Sequence, residues 1–393
     1  MAAAVLDFDL ERGSDVQGLD RYDHALVLVR FRGRPVHQVV LPVVNGRVSV
    51  EEIRRSVFDA WGWALWERWL EAFLELETPA RTPPAPATVA VCTRDRPDDL
   101  RRCLDALAVF ARDGHEVLVV DNAPTTDESR QIVEASGFAR YVREDRPGES
   151  AARNRALREA RHDIVAFSDD DAMPDPGWLP ALLRNFNDPL VLCVTGLTMP
   201  CELETEAQRW FERYSPFGRG FVRTVFDGAD VNPLLASRAG ASANMAVRRA
   251  VLDLIGPFNE ALGCGTRSRT GSDYEFFVRI LAAGYRIVYD PAALSWHRHR
   301  RTWTELRQVL RGYGTGVYAA WTHLLFAGRE FIVPKLALGW LLHTQLPNLV
   351  RSLLRRPGSV PLDLVIAELR GCLVGPWAYV AARRALRRLE ATS

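Results

Sequence analysis

The sequence predicts an α/β fold, with a small N-terminal α/β module before the main sheet and a helical C-terminal extension after it. Three observations carry this. Between residues 88 and 170, short β-branched runs alternate with helix-like segments over short connections, the pattern of a parallel sheet. The stretch TPARTPPAPA at 78–87 breaks all periodicity and reads as a stiff linker. From residue 301 onward, helical segments interrupted by Gly and Pro replace the alternation. With 393 residues, 48% hydrophobic and 25% charged, the chain can bury a large core divided over two or three domains. The expected boundaries are 1–77, 78–87, 88–300 and 301–393.

In the first region, 25–31 and 36–43 are β-rich runs joined by RGRP, a hairpin. Ser49 and Glu52 form a capping-box pair opening a helix to about residue 76. Its Trp61, Trp63, Trp66 and Trp69 read as an aromatic core face, with a sugar-stacking platform as the alternative. The second region opens with a strand at 88–93. Asp98 is placed to cap a helix whose Leu100, Leu104 and Leu107 share one face. A strand at 116–120, a helix at 127–135, a strand at 139–142, a helix at 150–160 and a strand at 164–167 follow. In such a sheet ligands sit outside the carboxyl ends of the strands, so the loops that matter are 93–97, 121–127 and 168–176. Further strands are expected at 190–198, 240–247 and 286–290. A helix at 272–283 is closed by Gly284, and the aromatic-rich stretch 208–226 has no clear period.

Fifty Lys and Arg meet 49 Asp and Glu, a net charge of +1, which argues against a nucleic-acid binder. The charge is uneven: residues 301–393 hold 13 basic against 5 acidic residues, leaving the rest at about −7. Six cysteines without a CxxC fit a reducing compartment rather than a zinc knuckle or a disulfide scaffold. The N-terminus lacks the basic and apolar segments of a signal peptide. The uncharged runs 312–328 and 336–350 fall short of the roughly 20 apolar residues of a spanning helix. The expectation is a cytoplasmic protein. Its residues 301–393 either rest on the inner face of the cell membrane or pack on the core or on a second subunit.

The sharpest chemical signal is Phe167-Ser168-Asp169-Asp170-Asp171 at the end of an apolar strand. Three successive carboxylates repel one another and resist burial. A divalent cation offsets that repulsion, and oxygen ligands suit Mg²⁺ or Mn²⁺, which keep waters and bridge to phosphates. A solvated acidic turn is the plainer alternative. His297 and His299 alternate in the run SWHRHR, sharing one face of an extended segment. The loop GCGTRSRTG at 263–271 reads as a lid, an acceptor-gripping loop or an ordinary flexible connection. Neither GxGxxG after the first strand, nor GxxxxGK[ST], nor GxSxG occurs, so dinucleotide, P-loop and nucleophile-elbow chemistry have no support.

The runs TVAVCTRDRPDDL, EVLVVDNAPTTD and GESAARNRALREARHDIVAFSDDDAMPDPGWL, followed by GASANMAVRRAVLDLIGPFNEALGCGT and GSDYEFFVRILAAGYRIVYDPAALSWHRH, resemble family 2 glycosyltransferases of the GT-A fold. The resemblance covers roughly residues 88–313, with the motifs in order. It implies a Rossmann-like nucleotide-diphospho-sugar transferase core and inverting transfer of a hexosyl group from a nucleoside diphosphate. UDP is the favoured carrier, and the acceptor is a glycan, lipid-linked or small molecule. On this resemblance Asp169-Asp170-Asp171 stands for the DxD motif, with Asp171 on the metal and Asp169 at the donor ribose. Asp121, Thr93 and Arg94 line the nucleobase pocket, and Arg153 faces the nucleotide. His297 falls where some relatives place a further metal or diphosphate contact.

Inversion needs a base for the acceptor hydroxyl, and the family's position for it falls on Asp273, with Glu275 the nearest substitute. Family members often carry Glu-Asp there; this chain has Ser272-Asp273. Asp273 is equally suited to be a helix-start residue. Two alternatives remain: a nucleotidyltransferase with similar carboxylates, which would release pyrophosphate, and a catalytically silent nucleotide- or glycan-binding protein. A homo-oligomer is compatible with either.

Overall fold

The computed structural model describes residues 2–73 and 85–391, with side chains in the helix after residue 60 described only at Trp66. The expected linker therefore lies outside the described residues except for its last three. So do the side chains of Trp61, Trp63 and Trp69.

Strands β1 (Ala3–Asp9), β2 (His24–Phe31) and β3 (Arg34–Pro42) form a three-stranded sheet, followed by helix α1 (Val50–Phe73). The expected hairpin is β2–β3, closed over Arg32 and Gly33, both at positive φ. β1 was not expected and pairs parallel to β2. Ser49 accepts from the Glu51 amide rather than forming a reciprocal box with Glu52. Alternation places Ala25, Val27 and Val29 against Ile53 and Val57 of α1. Leu26 and Leu28 face the other way, onto Leu197, Met199 and Leu294 of the main sheet. Arg30 anchors this contact on Asp175 at 2.6 Å.

The main sheet is built from β4 (Thr88–Thr93), α2 (Pro97–Arg112), β5 (Glu116–Asn122), α3 (Glu128–Ser136), β6 (Ala139–Glu144), α4 (Glu149–Glu159), β7 (Ile164–Asp169), β8 (Ala172–Pro174), α5 (Trp178–Leu183) and β9 (Val191–Pro200). It continues with α6 (Glu206–Tyr214), β10 (Thr224–Asp227), β11 (Asn244–Arg248), α7 (Val251–Leu254), α8 (Ser272–Ala282) and β12 (Arg286–His297). Among the described residues the strand order is β10-β12-β9-β11-β7-β4-β5-β6, with β8 added on β12. β7, β4, β5 and β6 are parallel, as the alternation requires. β11 runs antiparallel between β7 and β9. Cores on both faces bury the β-branched runs: Val89 and Val91 of β4 point to one side, Ala90 to the other.

Three further expectations needed correction. Asp98 lies inside the first turn of α2, behind Pro97, and pairs with Arg101 instead of capping. The aromatic stretch 208–226 contains most of α6 and the start of β10. The strand expected at 286–290 runs on to His297, because an irregularity between Asp290 and Leu294 lets it bend and resume pairing with β9.

After the sheet come α9 (Trp303–Phe326), α10 (Val333–Trp340), a π turn (Leu341–Gln345), α11 (Leu346–Leu353) and α12 (Leu362–Glu390). α12 lies along α9 so closely that a Cβ on Gly371 would sit 2.1 Å from the Arg311 carbonyl oxygen. Residues Leu362–Leu389 form one helix long and apolar enough by composition to cross a membrane, with 44% of its most apolar window buried in the protein.

Candidate active site

The strand register builds the site. β4 and β7 are neighbours with Cys92 opposite Asp169, so Thr93 reaches the first turn residue and its hydroxyl donates to Asp170 at 2.8 Å. Three residues beyond Thr93, Arg96 places its guanidinium 3.0 Å from Asp170 and 3.3 Å from Asp171. β8 pairs with the end of β12, with His297 opposite Ala172. That register brings His297 Nε2 to 3.1 Å from Asp171 Oδ1. Arg300 approaches the other Asp171 oxygen at 3.2 Å.

One oxygen of Asp169, one of Asp171 and one nitrogen of His297 lie within 4.8 Å of one another. Two carboxylates and an imidazole at that spacing fit a divalent cation. The electrostatics point the same way. Burial, followed by the Asp171 and Glu149 charges, pushes Asp169 up to about 7. Burial also pushes Asp170 up to about 6 against the pull of Arg96. Asp171 is buried too, yet His297, Arg300 and Arg96 hold it well below the usual carboxylate range. For His297, burial works against protonation and the neighbouring Asp171 outweighs it, raising the imidazole. Arg153, buried below Asp169, has its charge held by Glu149 and Asp169 against the cost of desolvation.

These groups open onto a cavity of about 1010 Å³. Thr93, Arg94, Asp169, Asp170, Asp171 and His297 line it, and so does Asp273 from the other half of the fold. Asp273 is the second residue of α8. Its Oδ1 accepts from the Tyr274 amide at 2.8 Å, and its Oδ2 lies 3.4 Å from both the amide and the hydroxyl of Ser242. Gly271 sets this helix start: its φ is +93°, and a Cβ there would meet the Gly316 carbonyl oxygen of α9 at 2.5 Å.

Two expected donor residues stand behind the wall. Asp121 is buried at the end of β5, where one oxygen accepts from the Tyr141 hydroxyl at 3.0 Å. Its other oxygen has no hydrogen-bond partner among the described residues. Arg153 is likewise buried, and its Nη1 has no hydrogen-bond partner among the described residues. Glu275 is corrected outright as a spare base. It turns away from the cavity and is fully buried, gripped by Arg279 at 2.7 and 3.0 Å and by His323 at 3.3 Å. The loop 263–271 forms a wall rather than a free flap. Thr266, Ser268 and Thr270 hydroxyls donate to the carbonyls of Gly263, Ala261 and Gly312, and the Glu149 amide donates to Cys264 O.

Sequence reasoning missed Arg96, Arg300 and Ser242. Arg96 had a visible signal, since it shares with Arg94 the loop at the carboxyl end of β4. The structure gives Arg96 the carboxylates, whereas Arg94 lies 3.8 Å from Asp95.

The model for Glycosyl transferase family 2 matches residues 88–255. The pre-mycofactocin glycosyltransferase of Mycobacterium tuberculosis is 31% identical over 223 residues, covering 56% of this chain and 43% of that protein. The chain thus spans less than half of that relative. An uncharacterized glycosyltransferase of Mycobacterium bovis, Mb0553, is 31% identical over 183 residues, 44% of this chain and 71% of its own length. Among solved structures, a mannosyltransferase from Pyrobaculum calidifontis in complex with GDP-Man and Mn²⁺ aligns over 87% of both chains, with TM-score 0.44 and 20% identity. The glucosyl-3-phosphoglycerate synthase of Mycobacterium tuberculosis aligns over 58% of this chain and 77% of its own, with TM-score 0.40 and 22% identity. The family match spans the parallel strands, the Asp169–Asp171 turn and β11, and the Mb0553 relative is 31% identical over 71% of its length: the chain belongs to glycosyltransferase family 2.

Proposed function

We propose that this protein transfers a hexosyl group from a nucleoside diphosphate donor, UDP in the first instance, to an acceptor hydroxyl with inversion at the anomeric carbon. The observation that carries the reading is the single cavity bearing both the Asp169–Asp171–His297 cluster and Asp273. One end can take a donor diphosphate, the other a nucleophile.

Asp169, Asp171 and His297 would hold the cation. Asp169, expected at the ribose, thus joins the metal set in this reading. The nitrogen donor favours Mn²⁺ over Mg²⁺, whose sites are built of oxygen. When bound, the ion supplies neutralisation of the charge that builds on the departing diphosphate. The chain's own residues do the rest. Arg96 and Arg300 hold Asp171 ionised, and Thr93 together with Arg96 fixes the orientation of Asp170. Asp273 accepts the proton of the acceptor hydroxyl, its orientation set by Ser242 and the Tyr274 amide.

A thermal-shift series of UDP, GDP, dTDP and their sugars, each with and without Mn²⁺, tests this reading, because a ligand that binds only the folded state raises the midpoint. A metal-dependent shift with one nucleotide, abolished in Asp171→Ala, supports the donor and metal assignments. A flat series overturns them.

A further inference from the structure

The C-terminal helices carry a surface that the transfer chemistry does not use. From Leu338, apolar side chains recur every fourth residue at Leu342, Leu346, Val350 and Leu354, and all five are between 39% and 61% exposed. They form one stripe along α10, the π turn and α11. The wider π turn takes up part of the drift that a strict spacing of four builds against roughly 3.6 residues per turn. Beside it, α12 exposes Leu373, Val374 and Trp377. Gln345 of the π turn donates to Cys372 of α12 at 2.9 Å, which fixes the two exposed sets next to each other. Phe326 and Phe331 stand out from the turn between α9 and α10, 73% and 80% exposed. An apolar surface of this extent is not ordinary protein exterior.

Its surroundings say what covers it. Lys335 flanks the stripe at one end; Arg351, Arg355 and Arg356 flank it at the other, all exposed. Exposed Arg383, Arg384 and Arg387 continue the positive charge along α12. Three of the acidic residues of this region have other duties: Glu305 caps α9, Asp363 accepts from Trp303, and Glu368 accepts from Tyr214, while half-buried Glu330 sits beside Phe331 at the turn. An apolar face bordered mainly by positive charge complements an anionic lipid surface. A second copy of the chain would instead oppose two surfaces of the same sign. α12 is not free to span, since it is packed along α9 through Gly371.

We propose that the outer face of α10, α11 and α12 docks peripherally on an anionic membrane, with the apolar stripe at the headgroup–acyl boundary and the arginines on the headgroups. α10 also places Trp340 in the wall of the cavity, so the docked face and the cleft share an element.

The test is co-sedimentation of the full chain with phosphatidylcholine vesicles, with and without about a third phosphatidylglycerol. The expected result is binding to the anionic vesicles alone, with release in high salt. Each of Arg351→Gln, Arg355→Gln and Arg356→Gln should weaken partitioning about fivefold. Leu342→Glu combined with Val350→Glu should abolish it while the thermal midpoint stays in place, since both side chains already meet solvent. Absence of binding at low salt overturns the proposal, as does binding that survives the double variant. A chain that is dimeric by light scattering, becomes monomeric in the double variant and ignores vesicles would assign the face to a second copy and overturn it equally.

Discussion

His297 Nδ1 and His299 Nδ1 lie 3.2 Å apart, and His299 Nε2 reaches Glu212 Oε2 at 3.0 Å. One proton must sit between the two Nδ1 atoms. If His297 is to offer its Nε2 lone pair to a cation, its Nδ1 carries that proton and donates to His299, whose Nε2–H then donates to Glu212. Phe211 and Phe217 pack against the rings and hold them in place. Glu212→Ala should therefore weaken Mn²⁺ binding about tenfold or more, read by electron paramagnetic resonance of free Mn²⁺ in the presence of UDP. Glu212→Gln, whose amide oxygen still accepts, should restore most of the affinity. Equal affinity in all three proteins would show that the pair does not position His297.

The carboxylate turn predicts how stability changes with pH. Asp169 is raised to about 7 and Asp170 to about 6 from an ordinary value of 3.8. Carboxyls whose folded pKa is raised contribute stability that is fully present below the unfolded value and is lost as pH rises through the folded values. The metal-free protein should thus lose thermal midpoint between pH about 4 and 7. A third of the Asp169 side chain meets the solvent of the cleft, which blunts its share. Asp171 acts in the opposite sense: it stabilises once ionised, and that contribution is lost only in strong acid. Mn²⁺ must displace the proton of Asp169, so its stabilising effect should grow as pH rises through the same window. Thermal midpoints across pH, with and without Mn²⁺, check this, and Asp169→Asn should flatten the metal-free curve.

The parallel strands were legible because β-branched runs of strand length alternate with helices carrying one apolar face, as in Leu100, Leu104 and Leu107. The Asp169–Asp171 turn was legible because carboxylates at a strand's carboxyl end have few structural uses. The missed features depend on tertiary register. β8 is only three residues long, and its pairing with β12 is what brings His297 to Asp171. Glu212 and His299 are 87 residues apart and meet only because α6 docks beside the end of β12. Glu275 looked available because it is two residues from Asp273. Helical geometry sends those two side chains in different directions, and Arg279, one turn on, claims Glu275.

Gly271 joins two halves of the cleft wall, so its substitution should affect both stability and turnover. Gly271→Ala places a Cβ against the Gly316 carbonyl at a φ of +93°. The cost should be about 1–3 kcal/mol from the backbone alone, read by chemical denaturation. Any relaxation moves the start of α8, and with it Asp273. Gly316→Ala meets the same contact from the other side, with its Cβ near the Thr270 hydroxyl and carbonyl. The two substitutions should therefore be strongly non-additive in a double-mutant cycle. Additive losses would mean that the α8–α9 contact is not shared.

Asp273 and Glu275 separate catalysis from stability. Asp273→Asn preserves the shape of the side chain and its acceptor oxygen toward the Tyr274 amide, but removes the carboxylate that would take the acceptor proton. It should leave the thermal midpoint and UDP–Mn²⁺ affinity close to those of the parent while turnover falls about 10²-fold or more. Glu275→Ala should do the reverse. It strips the partner from Arg279 and His323 in a fully buried setting, so it should destabilise the fold by about 3 kcal/mol. The protein that remains folded should retain its activity per molecule. Isothermal calorimetry of UDP–Mn²⁺, denaturation and single-turnover transfer, measured on both variants, give opposite patterns on this assignment. Retained turnover in Asp273→Asn would move the base elsewhere in the cavity and leave Asp273 as the residue that anchors Ser242 to the start of α8.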